Sequence, residues 1–200
     1  AGVPPVNLVA PAHVGSGILS FSRDEAIQYV AIYQKKKNGL DILKFVPASG
    51  SATRMFQFLS SFITDFDPEK QTFEAYIKES GNVNAEIFFE YLPQFAFYDS
   101  LQKYIEQHKL LEGLSPDQQK LRIAKLLLEE EPFNYKNKPK GLFPFHKYGE
   151  KVVTAFEENF REAFLYASQG EIVNIHFTIN KEYTSLFLNT LAEIRPNLEK

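Results

Sequence analysis

The sequence predicts an α/β fold, in which parallel strands joined by helices are interrupted by a helical block. Two short segments, 42–46 and 172–179, are apolar and rich in β-branched residues, as strands are. A helical pattern precedes the second segment, and two strands with a helix between them form a parallel unit. Residues 64–134 show one helical pattern after another. We therefore expect the two strands to lie parallel in one sheet, with no strand of that sheet inside 64–134.

The composition is typical of a globular protein without cysteine chemistry. The chain has 200 residues, of which 44% are hydrophobic, and a net charge of −3, so we expect a hydrophobic core and no general attraction to nucleic acid or to an anionic membrane. There is no cysteine, which excludes disulfides and thiolate metal sites. No apolar run reaches the roughly 20 residues that span a bilayer. A cytoplasmic location is expected.

The first two elements follow from local signals. Residues 1–21 are rich in proline and glycine and predict an extended N-terminal arm. Ser22 and Glu25 have the spacing of a capping box, which predicts a helix start. Three lysines, 35–37, and Gly39 then predict its end.

The strand at 42–46 is expected to be covered on both faces, and Pro47 ends it. The small-residue turn Ala48–Thr53 follows, and from Thr53 to Ile63 the apolar residues return at helical spacing.

The block 64–134 predicts helices at about 72–79, 84–107 and 115–130. Ser115 and Pro116 form a helix start, with the serine as cap and the proline in the first position. The aromatic residues between Phe88 and Tyr104 recur at helical spacing, which favours a core over a base-stacking site.

The remaining elements complete the α/β pattern. A helix is expected at 150–167, with Gly170 as its stop, followed by the strand 172–179. Asn180 then caps a helix that reaches about Ile194. The predicted organisation is an arm (1–21), an α/β core (22–63 and 135–200) and a helical insertion (64–134). The chain begins without Met and ends directly after a predicted helix, so we expect a fragment of a longer protein.

Two segments carry the functional signal. Small residues after a strand, here Ala48–Thr53, expose backbone N–H groups, and the start of the next helix adds a partial positive charge. Arg54 follows this turn, and Lys140 lies in a second segment between Pro139 and Pro144, which restrict the backbone around it. Together they predict an anion site, with Arg54 and Lys140 opening into one electropositive pocket. The alternative is that the small residues only permit close packing, that Arg54 pairs with a surface carboxylate and that Lys140 is a solvated charge.

The two segments resemble the signature of the sugar-phosphate nucleotidyltransferases, which have a Gly-Gly-x-Gly-Thr-Arg-Leu/Met turn and a Pro-Lys-x-Leu-x-Pro-Val segment. Ser49–Met55 matches the turn, with Ser49 and Ala52 in place of two glycines, and Pro139–Phe145 matches the segment. The whole chain also resembles an uncharacterised bacterial domain family with Val-Pro-Ala-Ser-Gly-x-Ala-Thr-Arg-Met-Phe and Pro-Lys-Gly-Leu-x-Pro-Phe-His-Lys-Tyr motifs.

The enzyme resemblance implies a Rossmann-like three-layer core and transfer of a nucleoside monophosphate from a nucleoside triphosphate to a sugar 1-phosphate. It implies that the triphosphate is held by Ala48, Ser49, Gly50, Ser51, Ala52 and Thr53. Arg54 and Lys140 are the implied catalytic residues, and Mg²⁺ is the implied cofactor. No metal ligands are assigned, because the acidic residues that bind metal in that family come from a later strand.

Two other classes of function remain open. One is a non-catalytic nucleotide- or phosphate-binding module, and the other is a helical interaction domain. The run Glu129–Glu131 is interpreted as a solvated helix end, because three adjacent helical residues cannot face one ion. The base, the sugar and the oligomeric state are not predicted.

Overall fold

A computed structural model of the chain describes residues 7–168, 170 and 172–198. The first six residues of the predicted arm and the last two residues of the chain lie outside the described residues. The chain divides into two units, Ala1–Ile42 with Gln169–Ile172 and Leu43–Ser168 with Val173–Lys200.

Among its described residues, the smaller unit contains one α-helix. Two short segments, β1 (His13–Val14) and β2 (Gly17–Ile18), pair in parallel. Helix α1 (Arg23–Lys36) begins at the predicted capping box, in which the Ser22 side chain accepts from the Glu25 N–H and the Glu25 carboxylate accepts from the Ser22 N–H.

The larger unit contains the predicted strand pair and the helical block. Its strands and helices are, in chain order, β3 (Leu43–Pro47), α2 (Gln57–Asp65), α3 (Phe73–Ser80), α4 (Val83–Tyr91), α5 (Tyr98–Gln107), α6 (Pro116–Glu129), β4 (His146–Tyr148), β5 (Lys151–Val153), α7 (Ala155–Tyr166), β6 (Asn174–Thr178) and α8 (Thr184–Leu198). Short 3₁₀ turns occupy Leu92–Gln94, Tyr135–Asn137, Lys140–Leu142 and Lys181–Tyr183.

The parallel strand pair is confirmed. β3 and β6 are hydrogen-bonded in parallel, with Leu43 opposite Asn174 and Pro47 opposite Thr178. Residues 64–134 contain helices and turns and no strand. The fold is therefore mixed α/β, whereas a Rossmann-like core is not confirmed, because the sheet that holds this pair has two strands among the described residues.

The prediction that β3 is covered on both faces is wrong. Lys44 and Val46 are half-buried, but Leu43 and Phe45 on the other face are 57% and 59% exposed. Helices α7 and α8 supply apolar residues to the half-buried side, where Phe156 lies 4.6 Å from Phe177 between ring centroids.

Two helix predictions need correction. The helix expected at 84–107 is two helices, α4 and α5, because Pro93 lacks an N–H and interrupts the helical hydrogen bonds. The helix expected at 150–167 begins only at Ala155, because residues 146–153 form an antiparallel hairpin of β4 and β5 around Gly149, which has a positive φ of 62°. By contrast, Ser115 caps α6 with Pro116 in the first turn, as predicted.

Two hydrophobic clusters stabilise the larger unit. The helical core consists of the buried residues between Ala52 and Leu128 together with Phe133, Tyr135 and Phe143. The sheet core consists of Ala48, Phe156, Phe187 and Ile194, with half-buried neighbours that include Leu142 and Phe177. In the part of the chain that the structure describes, no helix combines the length and the apolar character needed to cross a bilayer.

Candidate functional site

The loop Ala48–Arg54 begins where β3 ends, at the carboxyl end of the parallel pair. The Ala48 N–H donates to the Thr178 carbonyl at 2.8 Å, which extends the β3–β6 pairing by one residue. The Asn180 side-chain amide donates to the Ser49 carbonyl at 3.4 Å. Ligands of parallel α/β sheets bind at this end of the strands, so the loop has the position of a binding loop.

The two sequence motifs meet in the fold. The Lys140 N–H donates to the Gly50 carbonyl at 3.0 Å, and Ser51 forms an isolated antiparallel bridge with Pro139. Pro139 is fully buried, so this contact is fixed by packing as well as by the hydrogen bond. The structure therefore places the Pro-Lys segment directly against the small-residue loop.

Each motif has one residue in each hydrophobic core. In the loop, Ala48 belongs to the sheet core and Ala52 to the helical core. In the second segment, Leu142 packs on the sheet core and Phe143 belongs to the helical core. The candidate site thus lies where the two cores adjoin, and both motifs are anchored on either side of it.

The loop has free backbone donors. The N–H groups of Ser49, Gly50, Ser51 and Thr53 donate no hydrogen bond to any other described residue. Backbone N–H groups without protein partners in a turn can bind an anion such as phosphate, although here helix α2 begins only at Gln57, after the turn at 53–56.

The two residues that replace glycines do not obstruct the loop backbone. No residue from Ser49 to Thr53 has a positive φ, so the loop conformation does not require glycine. The Ala52 methyl group is fully buried in the helical core, which directs it away from solvent. At Gly50 an added Cβ would meet nothing within 4 Å, so open space faces this residue.

Lys140 lines a small cavity at the end of the strands. The cavity has a volume of about 210 Å³, and its walls include Gly50, Gly141, Phe145 and Phe177. The Lys140 side chain is exposed and forms no ion pair with another described residue. The volume is below the roughly 300–1,000 Å³ of a pocket for a drug-sized ligand, so the cavity suits part of a larger ligand.

Arg54 lines a different cavity, which we call the α2 groove. The α2 groove has a volume of about 490 Å³ and is lined by Arg54, Met55, Gln57, Phe58, Ser61, Asp65, Tyr76, Ser80, Asn82 and Asn84. The backbones of the two motifs are in contact, but the side chains of Arg54 and Lys140 line separate cavities. The expectation that both open into one pocket is not met in this structure.

Comparison with known proteins gives one match. The family described as "Domain of unknown function (DUF4301)" matches residues 1–200. The chain belongs to this family. No curated protein and no solved structure matches the chain. The description of the DUF4301 family names no activity, so the nucleotidyltransferase resemblance stays a proposal.

The acidic run of this DUF4301 chain is occupied by ion pairs. Glu130 pairs with Arg122, and Glu129 and Glu131 lie 4.0 Å and 3.9 Å from the ammonium groups of Lys136 and Lys138. Burial lowers the pKa of Lys138, and the charge of Glu131 opposes that change. Among the described residues, no group of three or more His, Asp or Glu side chains could hold a metal ion.

One charged cluster was missed by the sequence reasoning. Glu157, in the first turn of α7, is buried, and its carboxylate lies 2.9 Å from the ammonium of Lys151 in the hairpin. The neighbouring Glu158 accepts a hydrogen bond of 2.7 Å from the Tyr148 hydroxyl, which raises the pKa of Tyr148. Recognition of Gly149 as a hairpin turn before the β-branched Val152 and Val153 would have revealed this arrangement.

Proposed function

We propose that this chain is a nucleotidyltransferase-like domain, which transfers a nucleoside monophosphate from a nucleoside triphosphate to a sugar 1-phosphate. The observation that carries the proposal is the contact between the two motifs, through the Lys140–Gly50 hydrogen bond and the Ser51–Pro139 bridge. Segments that are far apart in the sequence adjoin at the carboxyl end of a parallel strand pair, as an anion site built from both requires.

The loop would bind the triphosphate through its backbone. The free N–H groups between Ser49 and Thr53 are donors for phosphate oxygens. Gly50 has no side chain and faces open space, so a phosphate can approach its backbone closely. Ala48 and Ala52 anchor the two ends of the loop in the two cores, which keeps these donors in place without a ligand.

The two cations would act from the separate cavities that they line. Lys140, held between Pro139 and Pro144, is placed to neutralise the phosphates of the nucleotide at the small cavity. Arg54, which lines the α2 groove, would contact the phosphate of the acceptor. The separation of the two side chains therefore fits a reaction between two phosphate-bearing substrates.

In the proposed reaction, an oxygen of the sugar phosphate forms a bond to the α-phosphorus of the nucleotide. The bond between that phosphorus and the bridging oxygen of the β-phosphate breaks, and pyrophosphate leaves with the electron pair. The step has no net oxidation. Positive charge from Lys140 stabilises the negative charge that develops on the transferring and leaving phosphates, and Arg54 neutralises the phosphate of the acceptor.

The described residues contain no cluster of three or more carboxylate or imidazole side chains. Mg²⁺ in nucleotide sites is usually held by one or two carboxylates together with the substrate phosphates, so the implied ion needs no such cluster. Mg²⁺ enters the proposal only as an ion carried by the nucleotide phosphates. The finer fold expectation, a Rossmann-like core, is likewise part of the proposal, with β3, α7 and β6 as one parallel unit of it.

The same observation favours a second candidate, a non-catalytic nucleotide- or phosphate-binding module. Such a module needs the loop donors and a nearby cation, and the described residues provide both where the two motifs are in contact. The two candidates share the binding site and differ in turnover.

Calorimetry with a panel of nucleoside triphosphates tests the proposal. We expect binding to the native chain and a loss of about 10–100-fold in affinity for Lys140→Ala, since hydrogen bonds to charged groups contribute roughly 1.5–3 kcal/mol. Gly50→Ala should also weaken binding while leaving the fold intact. Lys136→Ala is the matched control, because Lys136 is an exposed lysine four positions earlier in the same segment.

The result that contradicts the proposal is the absence of binding for every nucleotide, or equal losses in Lys140→Ala and Lys136→Ala. Release of pyrophosphate from a nucleoside triphosphate and a sugar 1-phosphate would distinguish the transferase from the binding module. Binding without release favours the module.

A further inference from the structure

The outer edge of β6 has free backbone groups. Because the Ala48 N–H donates to the Thr178 carbonyl, Thr178 directs its backbone groups towards β3. Alternate residues of a strand direct theirs to opposite edges, so the N–H and C=O groups of Ile175 and Phe177 point away from β3. Within the described residues these N–H groups have no acceptor, and β3 is the one strand that pairs with β6. A free edge of this kind is a template for another strand.

The two edges of the strand pair differ in how they are protected. Pro47 directs its backbone nitrogen to the outer edge of β3, and this nitrogen carries no hydrogen to donate. Proline on an edge strand hinders pairing with another chain. The segment 173–179, which contains β6, has no proline and no Asp, Glu, Lys or Arg. The β6 edge is therefore open to a further strand, whereas the β3 edge is partly blocked.

The segment 173–179 is symmetric in chemical character about His176. Residues of like polarity stand at equal distances on either side of this histidine, in the order Ile175 with Phe177, Asn174 with Thr178, and Val173 with Ile179. In an antiparallel pairing of two such strands centred on His176, each residue lies opposite its like. The segment is therefore complementary to an antiparallel copy of itself.

We propose that the β6 edge pairs with the β6 edge of a second copy of this chain, antiparallel and centred on His176. Ile175 of one copy then lies opposite Phe177 of the other, and the two residues exchange both backbone hydrogen bonds. The strands of the two copies form one sheet in the order β3–β6–β6–β3. Such a contact uses the same patch on both copies, so it closes as a symmetric dimer. This inference does not depend on the proposed function.

The pairing also covers an apolar side chain that the fold leaves outside its cores. Ile175 is half-buried and belongs to neither hydrophobic core of the described residues. Its neighbour on the same face, Phe177, packs on the sheet core. In the dimer, Ile175 contacts Phe177 of the second copy, so the two sheet cores become continuous across the axis and more apolar surface leaves water.

Sedimentation velocity of the whole chain at a series of concentrations tests the dimer. We expect the native chain to form a dimer. His176→Asp and His176→Lys each place two like charges across the axis, where the Cα atoms of a non-hydrogen-bonded pair lie about 4.5 Å apart. Each variant alone should dimerise at least about tenfold more weakly, which corresponds to about 1.4 kcal/mol. An equal mixture of the two should form a heterodimer, because the opposite charges then attract.

Asn174→Asp is the matched control for added charge. Asn174 is exposed on the same face of β6 as His176, but the register places it opposite Thr178 of the second copy. The new carboxylates of the two copies then lie far from each other, so this variant should keep the native self-association. The circular dichroism melting curve of each variant reports whether it is folded.

Cross-linking tests the register, since the chain has no cysteine of its own. The Cα distance of about 4.5 Å across the axis suits a disulfide, so His176→Cys should form a covalent dimer in a glutathione redox buffer. Asn174→Cys alone should not, because the two thiols lie roughly 13 Å apart along the strands. A mixture of Asn174→Cys and Thr178→Cys should form the disulfide that either variant alone does not.

Four results would overturn the proposal. They are a native chain that stays monomeric at every concentration, equal weakening by His176→Asp and Asn174→Asp, no heterodimer from the two charged His176 variants while both are folded, and cross-linking of Asn174→Cys alone as readily as His176→Cys. A dimer that responds only at the axis, with the expected cross-links, supports it. None of these measurements involves a nucleotide, so their failure leaves the proposed function unaffected.

Discussion

The helical core and the β3–β6 strand pair use the same kinds of residue but bury them to different extents. In the helical core, Phe62 is 0% exposed, with ring centroids 4.9 Å from Phe66 and 5.5 Å from Phe73. In the strand pair, Phe45 is 59% exposed and stacks at 5.1 Å on His176. The difference arises because the helices enclose a common centre, whereas helices cover the two-stranded sheet on one face.

The comparison indicates which part of the larger unit contributes more to its stability and where the candidate site lies. A small, partly covered sheet contributes less burial than a helical block rich in aromatic residues. The candidate loop is anchored in both cores, through Ala48 and Ala52. The helical block therefore anchors one side of the candidate site. Substitutions in either core can change the position of the loop.

The largest expected effect comes from a matched pair of Phe→Ala substitutions. Phe62→Ala should lower the free energy of unfolding by about 3–5 kcal/mol, because it opens a cavity in a fully packed core. Phe45→Ala should lower it by less than about 1 kcal/mol, because most of that ring is already in water. Urea denaturation followed by circular dichroism measures both free energies of unfolding. Equal losses in the two variants would contradict the difference in burial between the two regions.

The second prediction compares two lysines of the β4–β5 hairpin. Lys151→Met should cost about 1.5–3 kcal/mol of unfolding free energy, because it removes the nearest partner of the buried Glu157 carboxylate. Lys147→Met should cost at most about 1 kcal/mol, because its partner Asp99 is exposed. Chemical denaturation at low and high salt measures both losses. A larger loss for Lys147→Met would show that the burial of the partner does not control the effect.

The third prediction compares two glycines at the candidate site. A Cβ at Gly141 would lie 3.2 Å from the Phe187 ring in the sheet core, so Gly141→Ala should destabilise by about 1–3 kcal/mol. The Cβ added by Gly50→Ala would meet nothing within 4 Å. This variant should leave the free energy of unfolding unchanged or raise it by about 0.4–1 kcal/mol, since alanine restricts the unfolded chain. Thermal melts of both variants check this. A strongly destabilised Gly50→Ala would mean that this glycine serves the fold and not a ligand.

The smallest effect concerns two tyrosines whose ionisation is shifted for different reasons. Burial in the helical core raises the pKa of Tyr135, whereas the hydrogen bond to Glu158 raises the pKa of Tyr148. For each tyrosine, the pKa in the folded state exceeds the unfolded value near 10. Each phenol therefore favours the folded state below about pH 10, and this contribution is lost as the pH rises through the folded pKa.

Ultraviolet titration of the phenols tests this difference, with Tyr135→Phe and Tyr148→Phe to assign the signals. Glu158→Gln should lower the pKa of Tyr148 towards its ordinary value and leave the pKa of Tyr135 unchanged. A shift of Tyr135 in that variant would show that the two regions are electrostatically coupled.

Local signals were sufficient for much of the fold. Short stretches of sequence were enough to predict the helix caps at Ser22 and Ser115. They also predicted the parallel strands now seen at 43–47 and 174–178 and the helical character of 64–134. Periodicity did not resolve the interruption at Pro93 or the hairpin around Gly149, because each depends on a few residues inside a longer apolar pattern. The site was predicted as two motifs, and the structure shows that their backbones are in contact at Gly50 and Lys140.

The sequence by itself determined the parallel strand pair, most of the helices and the two segments that meet, because caps, turns and apolar periodicity act over a few residues. Only the tertiary structure decided that Arg54 and Lys140 line separate cavities, and that Ala52 is buried in the helical core while Gly50 faces open space. It also decided that Leu43 and Phe45 remain exposed and that Glu157 is buried beside Lys151. The direction and burial of a side chain depend on which distant elements pack around it, and spacing along the chain does not encode that packing.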